Sequence, residues 1–179
     1  SLLGLVLLSP FFVNLIPKYI KWEPALLSLA FFSINAALSS VSTPLVNALN
    51  AIGKIKTTLY LMVFWTVSTW VLTPIFIILY GFNGVAFASA IISLSIVIVI
   101  TVTRKYINFN LLKAAGYPFI STIFMGIFVY LVSPFLIKGI FSLIFMILLG
   151  AMVYFLCIFT LAKKEVLSDI NLIKTNLKK

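Results

Sequence analysis

The sequence has no histidine, one cysteine and very few acids. Only three of its 179 residues are Asp or Glu, and all three, Glu23, Glu165 and Asp169, lie outside the long apolar runs. Histidine is the commonest metal ligand and the side chain that titrates nearest neutral pH. Without histidine, and without a carboxylate inside an apolar run, general acid–base or metal-assisted catalysis has no residues to use. We therefore expect no enzymatic activity, no metal and no cofactor.

Charged residues of either sign are also scarce. They make up 9% of the chain, whereas 63% of the residues are hydrophobic and the mean hydropathy is +1.25. Soluble domains carry about a quarter charged residues, so this composition indicates a membrane protein. The net charge of +10 does not indicate a nucleic-acid partner, because the basic residues lie at the ends of apolar runs, as in proteins that meet lipid headgroups. Cys157 is expected to be a small core residue.

Short polar segments divide the chain into runs of membrane-spanning length. A spanning helix needs roughly 20 apolar residues, and the dividing segments contain glycine, proline or lysine. We predict an all-α, multi-pass transmembrane helical bundle of about six spans, at residues 1–17, 25–52, 57–80, 84–103, 114–137 and 139–162. Residues 163–179 form a basic amphipathic tail, read equally well as a helix on the inner leaflet or as a solvated helix without a role. Because Ser1 leads straight into an apolar run, without a cationic leader, we expect a piece of a longer protein.

The basic residues indicate an orientation. With six spans, the 53–56 turn, the 104–113 loop and the tail share one side and carry ten of the thirteen Lys and Arg residues, against three on the other side. Cytoplasmic segments are enriched in Lys and Arg. The C-terminus and a cytoplasmic basic turn containing Lys54 and Lys56 are therefore predicted to lie inside the cell.

A polar stripe follows one face of the second predicted span. Asn35, Ser39, Ser42 and Asn50 make up the stripe, Thr43 and Asn47 flank it, and Pro44 is the expected kink. Such a stripe beside a kink is typical of a helix that lines a hydrated cavity. The alternative is that these side chains hydrogen-bond across packed helices. We therefore take the stripe and Pro44 as a candidate substrate path.

Small residues open the fourth predicted span. Gly84, Ala86, Ala88 and Ala90 alternate along it, and the spacing of four between pairs of them permits close helix approach. Tight packing is the expected role, and a gate hinge is the functional alternative.

The segment KWEPALLSLAFFSINAALSSVSTPLVNALNAIGKIKTTLYLMVFW resembles the polysaccharide flippases of the multidrug/oligosaccharidyl-lipid/polysaccharide (MOP) transporter superfamily. Trp22, Ala25 and the Gly53-Lys54-Ile55-Lys56 turn match the family pattern, with isoleucine before the glycine. YGFNGVAFASAI resembles the family's glycine-x-x-glycine-alanine-alanine hairpin, with Val85 replacing an alanine. The resemblance covers residues 10–179 through several short motifs in the expected order.

The resemblance implies both a fold and a function. Such proteins place two bundles of six helices in an inverted V, often with two further helices, and this chain resembles the second half of the second bundle plus the extra pair. An N-terminal bundle of the same protein would be the missing partner. The implied activity is flipping of a lipid-linked oligosaccharide, such as an O-antigen unit of lipopolysaccharide, by alternating access in the inner membrane. The implied partners are that glycolipid, membrane lipids, a polysaccharide polymerase and glycosyltransferases.

Other functions fit the same residues. A drug/cation antiporter or a peptidoglycan-precursor flippase of the same superfamily would differ in charged residues of the missing bundle. The family's cationic cavity residues have no counterparts in this chain. A membrane subunit that scaffolds glycan assembly and transports nothing is the alternative from another class.

Overall fold

The computed structural model describes residues 2–137 and 139–161, so the predicted tail at 163–179 lies outside the described part. The helices are α1 (Leu2–Leu15), a 3₁₀ helix (Pro17–Trp22), α2 (Ala25–Ala51), α3 (Ile55–Tyr80), α4 (Asn83–Ser93), α5 (Ile96–Arg104), α6 (Leu111–Leu136) and α7 (Ile140–Leu161). No strand occurs in the residues described. The predicted all-α class is confirmed.

Five helical segments are long and apolar enough to cross a membrane. They are α2, α3, α4 together with α5, α6, and α7, which agrees with a multi-pass helical membrane bundle. The first predicted span is shorter than expected, because α1 contains 14 residues. At 1.5 Å per residue that is roughly 21 Å, less than the hydrocarbon core of about 30 Å.

The exposed faces of these helices are apolar, as a lipid environment requires. Ile78 is 85% exposed and Phe141 is 89% exposed, and many other large hydrophobic side chains are exposed along the helices. Exposed apolar surface on this scale would aggregate a protein in water. The chain is therefore embedded in a membrane through these helices.

The helices form two compact units. The first contains α1, α6 and α7, packed around a core of Leu8, Met125, Val129, Leu143 and Met146. Gly150 of α7 allows close packing here, since a Cβ atom at this position would lie 3.2 Å from the Val129 side chain.

The second unit contains the 3₁₀ helix and α2 to α5, and α4 packs against both α2 and α3. The small residues predicted to permit close approach, Gly84, Ala86, Ala88 and Ala90, are all buried. A Cβ atom at Gly84 would overlap the backbone carbonyl of Phe76 in α3. The α3–α4 pair thus depends on the absence of a side chain at Gly84, and the packing role expected for this patch is the one observed.

The α2–α3 turn explains the glycine of the Gly53-Lys54-Ile55-Lys56 motif. Gly53 adopts a left-handed conformation with φ of 76°. Its N–H donates to the Asn50 carbonyl at 3.0 Å, and the Lys54 N–H donates to the Leu49 carbonyl at 2.9 Å. These two bonds form a Schellman motif, in which glycine is preferred because it has no Cβ. The helix therefore ends at this point for a local, sequence-encoded reason.

A candidate polar cavity within the α2–α5 unit

A cavity of about 390 Å³ lies among α2, α3 and the α4–α5 segment. Its lining is rich in hydroxyl and amide groups: Asn35, Ser39, Ser42, Thr43, Asn47, Thr69, Ser89, Ser93 and Ser95, with Val46, Met62, Trp65, Ile92 and Ile96 completing it. At about 30 Å³ per water molecule, the volume corresponds to roughly a dozen waters. A polar cavity of this size inside a membrane-spanning unit favours a hydrated interior.

Helix α2 supplies the largest polar share of the lining. The Ser39 hydroxyl donates to the Asn35 side-chain oxygen at 3.0 Å, because residues four apart lie one above the other on a helix face. The Ser42 hydroxyl lies 3.4 Å from the Ser39 carbonyl oxygen. These local bonds hold the side chains on one face, and the Asn35 amide keeps further donor and acceptor capacity.

A break between α4 and α5 lies on the opposite wall. The Leu94 N–H bonds to the Ile91 carbonyl at 3.1 Å and the Ser95 N–H to the Ile92 carbonyl at 3.0 Å. These are i to i−3 bonds, so the helix tightens locally into a 3₁₀ turn. The backbone hydrogen bonds continue past this turn, from Ile98 N–H to the Ser95 carbonyl at 2.8 Å, so α4 and α5 together remain one apolar segment long enough to cross a membrane.

Trp65 connects α3 to this break. Its indole N–H donates to the Ser95 hydroxyl at 2.8 Å, and both residues line the cavity. Trp65 also packs against the apolar cluster described next. The indole therefore fixes the position of the broken segment relative to α3 and forms part of the cavity wall.

An apolar cluster lies beside the cavity, toward the Gly53 turn. Its buried members are Val46, Leu49, Leu61 and Val99, contributed by α2, α3 and α5. Val46 also lines the cavity, and Leu49, Leu61 and Val99 lie closer to the turn than the lining residues of their own helices. Water has no polar partner among them, so the cluster is a barrier to polar solutes at this end.

An aromatic cluster joins α2, α3 and α4 near the α3–α4 hairpin. Phe87 contacts Phe31 and Phe76 edge to face, each with a centroid distance of 5.0 Å, and Tyr80 at 5.5 Å. Farther out, the Ser28 hydroxyl donates to the Asn83 side-chain oxygen. The cavity thus lies between an apolar cluster and an aromatic cluster along the helices, and it is open at the side where Thr43, Asn47, Met62 and Thr69 are exposed.

The structure brings three of the five predicted path residues together. Asn35, Ser39 and Ser42 line the cavity, whereas Asn50 and Pro44 do not. Asn50 shares the stripe's angular position but lies beyond Leu49, past the cluster that closes the cavity. Pro44 lies nine residues after Asn35, which at 3.6 residues per turn places it on the opposite face of α2.

Helix α2 continues through Pro44 without a break from Ala25 to Ala51. Proline removes one backbone donor and displaces the carbonyl four residues earlier, here that of Ser40. Pro44 itself is exposed. Pro44 therefore affects α2 through the missing backbone hydrogen bond, and its side chain does not contact the cavity.

The sequence placed only three of the nine hydroxyl- or amide-bearing lining residues on the predicted path. Thr43 and Asn47 were expected only to flank the stripe, and Trp65, Thr69, Ser89, Ser93 and Ser95 were not expected to line a cavity. The serines of α4 and α5 carried a weak signal, because a cluster of serines in an otherwise aliphatic span marks a polar face. The hydrogen bond between Trp65 and Ser95 joins residues 30 positions apart, so no local pattern contains it.

The predicted basic turn lies at the end of the same unit. Lys54 and Lys56 are both exposed, and the Lys54 ammonium lies 4.7 Å from the centroid of the Tyr106 ring. This cation–π contact joins the α2–α3 turn to the segment that follows α5. The two lysines are separated from the cavity by the apolar cluster.

The chemistry available in the cavity is hydrogen bonding without charge. No acidic or basic side chain belongs to its lining, and within the described ranges no group of His, Cys, Asp or Glu could hold a metal ion. Such a lining can hydrogen-bond to neutral groups that carry hydroxyls or amides, since these groups need no desolvation of an ion.

Comparison with family models, with curated proteins and with solved structures finds no match to this chain.

Proposed function

We propose that this chain is part of a membrane transporter that flips a lipid-linked oligosaccharide by alternating access. The chain provides the C-terminal portion, and the rest of the same protein provides the facing bundle. The glycan head enters a polar cavity from one side and leaves on the other, with no covalent chemistry. Glycosyltransferases and a polysaccharide polymerase are the proposed functional partners.

The observation that carries this proposal is the uncharged polar cavity beside the α4–α5 break. Its lining residues fall in the middle portions of α3 and of the α4–α5 segment, so a bilayer around these helices would place the cavity near its midplane. Scaffold helices have no need of a hydrated interior at that depth, where each unsatisfied polar group is costly. A transporter of a polar group, by contrast, requires such a cavity.

The lining favours a glycan over a cationic substrate. Cation and proton pathways through membranes are marked by ionisable residues inside the spans, and this cavity offers serine, threonine and asparagine instead. Sugar hydroxyls donate and accept hydrogen bonds, which matches the dual capacity of these side chains. A drug/cation antiporter is therefore the weaker fit to this part of the protein.

The proposed location is the inner membrane, with the C-terminus in the cytoplasm. The excess of Lys and Arg on the side of Lys54 and Lys56 supports this orientation through the positive-inside rule. The apolar cluster would then separate the cavity from the cytoplasmic side, and the aromatic cluster from the other side. Rocking of the bundles would open one barrier at a time.

The test is a flipping assay in proteoliposomes that contain the protein as the cell produces it. A fluorescent lipid-linked oligosaccharide is added, and the fraction that reaches the protected leaflet is measured with a membrane-impermeant glycosidase. Asn35→Leu removes the amide from the cavity at nearly constant volume. Loss of one such hydrogen bond, about 1 kcal/mol or somewhat more, is expected to slow flipping between five- and tenfold.

Asn50→Leu is the matched control, because it makes the same substitution in the same helix outside the cavity. It is expected to leave the flipping rate unchanged. Equal slowing by both variants would contradict the assignment of the path. Absence of flipping above protein-free vesicles, together with co-purification of glycosyltransferases, would replace the transporter proposal with the scaffold.

A further inference from the structure

Four basic residues lie at one end of the α2–α5 unit, in two separate segments. Lys54 and Lys56 come from the α2–α3 turn, and Arg104 and Lys105 from the end of α5. The contact between the Lys54 ammonium and the Tyr106 ring, at 4.7 Å, brings the two segments together. We call these four side chains the basic end.

The basic end has a rigid base. Beneath it, Leu49 and Val99 are fully buried in the apolar cluster that joins α2, α3 and α5. The Schellman motif at Gly53 fixes the backbone from which Lys54 projects. The backbone that carries these residues is therefore held by packed elements and not by free loops.

No acid within the described ranges compensates these charges. Glu23 is the only Asp or Glu in that part of the chain, and it precedes α2, whereas Lys54 follows the same helix. The 27 residues of α2 separate the two by about 40 Å at 1.5 Å per residue. This distance far exceeds the Debye length of about 8 Å at physiological ionic strength.

The surroundings of the charges match the chemistry of a phospholipid. Lysine and arginine bind phosphate, arginine through two parallel hydrogen bonds. Next to them Ile52 and Ile55 are exposed, which offers apolar surface to an acyl chain. A free phosphate ion would contact only the basic residues, whereas a phospholipid would contact the basic residues with its headgroup and the two isoleucines with its acyl chain.

We propose that the basic end binds the headgroup phosphate of an anionic phospholipid of the bilayer, with Lys54 and Arg104 as the principal contacts. Tyr106 positions the Lys54 ammonium by the cation–π contact. This site is separate from the cavity and does not depend on what the cavity transports. Its consequence is a protein whose stability depends on the lipid composition of the leaflet at this end.

The test uses the full chain, purified in detergent and titrated with phosphatidylglycerol or phosphatidylcholine in native mass spectrometry. We expect tighter binding of phosphatidylglycerol, and a loss of about tenfold or more in that affinity for the Lys54→Gln/Arg104→Gln double variant, given the contribution of each basic residue near anionic lipid. Lys18→Gln/Lys21→Gln is the matched control, because it removes the same charge from the exposed pair beside Glu23. It is expected to leave the affinity unchanged.

A second measurement separates the site from general charge attraction. Tyr106→Phe keeps an aromatic face under Lys54 and is expected to retain the affinity, whereas Tyr106→Leu is expected to lower it. Displacement of the lipid by millimolar inorganic phosphate would identify a soluble-anion site and overturn the assignment to a lipid. Equal binding of the two phospholipids would overturn the proposal as well. So would an equal loss of phosphatidylglycerol affinity in the Lys54→Gln/Arg104→Gln variant and in the Lys18→Gln/Lys21→Gln control.

Discussion

Among the residues described, Thr58 and Thr103 are buried threonines whose hydroxyls lack the hydrogen bond that threonines of membrane helices usually make. Thr58 is 3% exposed and Thr103 is 0% exposed, and neither hydroxyl has a hydrogen-bond partner within the described ranges. By contrast, the exposed Thr101 of α5 donates to the Val97 carbonyl at 2.8 Å. A buried hydroxyl without a partner costs about 1–3 kcal/mol. The cost makes both positions candidates for stabilising substitution.

We predict that Thr103→Val raises the free energy of unfolding by about 1 kcal/mol, because valine fills nearly the same volume without an unpaired hydroxyl. Chemical denaturation in mild detergent, followed by circular dichroism, measures the change. Thr101→Val on the same helix serves as the control and is expected to have little effect, since it removes an exposed group. A less stable Thr103→Val protein would mean that the hydroxyl has a partner such as a bound water.

Sequence alone could not single out these two threonines. Both occur near the ends of helical segments, Thr58 beside Thr57 and Thr103 beside Arg104, and threonine is common in membrane helices, where it usually bonds to a carbonyl one turn earlier. Their burial arises where α2, α3 and α5 converge. Helix packing also explains why Asn50 was misplaced: it has the periodicity of the stripe but lies beyond Leu49, outside the cavity.

At the scale of elements, the α3–α4 hairpin depends on one glycine. The overlap of an added Cβ at Gly84 with the Phe76 carbonyl involves backbone on both sides, so neither helix can relieve it by a change of rotamer. The aromatic cluster built on Phe76 and Phe87 lies directly above this contact. Separation of the two helices would therefore also disturb that end of the cavity.

We predict that Gly84→Ala lowers the free energy of unfolding by about 1–3 kcal/mol, the usual cost of overpacking. Thermal unfolding in detergent tests this. Gly116→Ala in α6 is the control, because a Cβ atom there meets nothing within 4 Å and alanine favours a helix. Equal stability of Gly84→Ala and the native protein would show that the helices tolerate a wider separation.

The elements themselves were largely predictable, and their interruptions were not. Apolar runs bounded by glycine, proline and lysine located α2, α3, α6 and α7 to within a few residues. The break at Leu94 and Ser95 has no proline or glycine to mark it. It is stabilised by the contact between Trp65 and Ser95, which is long-range and invisible to a local pattern.

At the scale of the whole molecule, the balance of surface and interior follows from the solvent. Large apolar side chains face outward along the helices, whereas serine, threonine and asparagine line the cavity of the α2–α5 unit. Composition predicted a membrane bundle because a chain with 9% charged and 63% hydrophobic residues needs lipid around its apolar surface. The position of the cavity required the packing of three helices, so only one of its walls, on α2, was readable in advance.

The central claim is that Asn35, Ser39 and Ser42 of α2 line a water-filled path, and thiol labelling tests it most directly. In a Cys157→Ala background, Asn35→Cys and Ile34→Cys place a thiol at adjacent residues of α2, hence at nearly the same depth. Asn35 lines the cavity, whereas Ile34 is exposed on the apolar surface. In native membranes, a water-soluble maleimide is predicted to label Asn35→Cys at least about tenfold faster, because the reagent and the reactive thiolate both need water. Equal protection of the two positions would contradict the account, since the stripe would then only join packed helices.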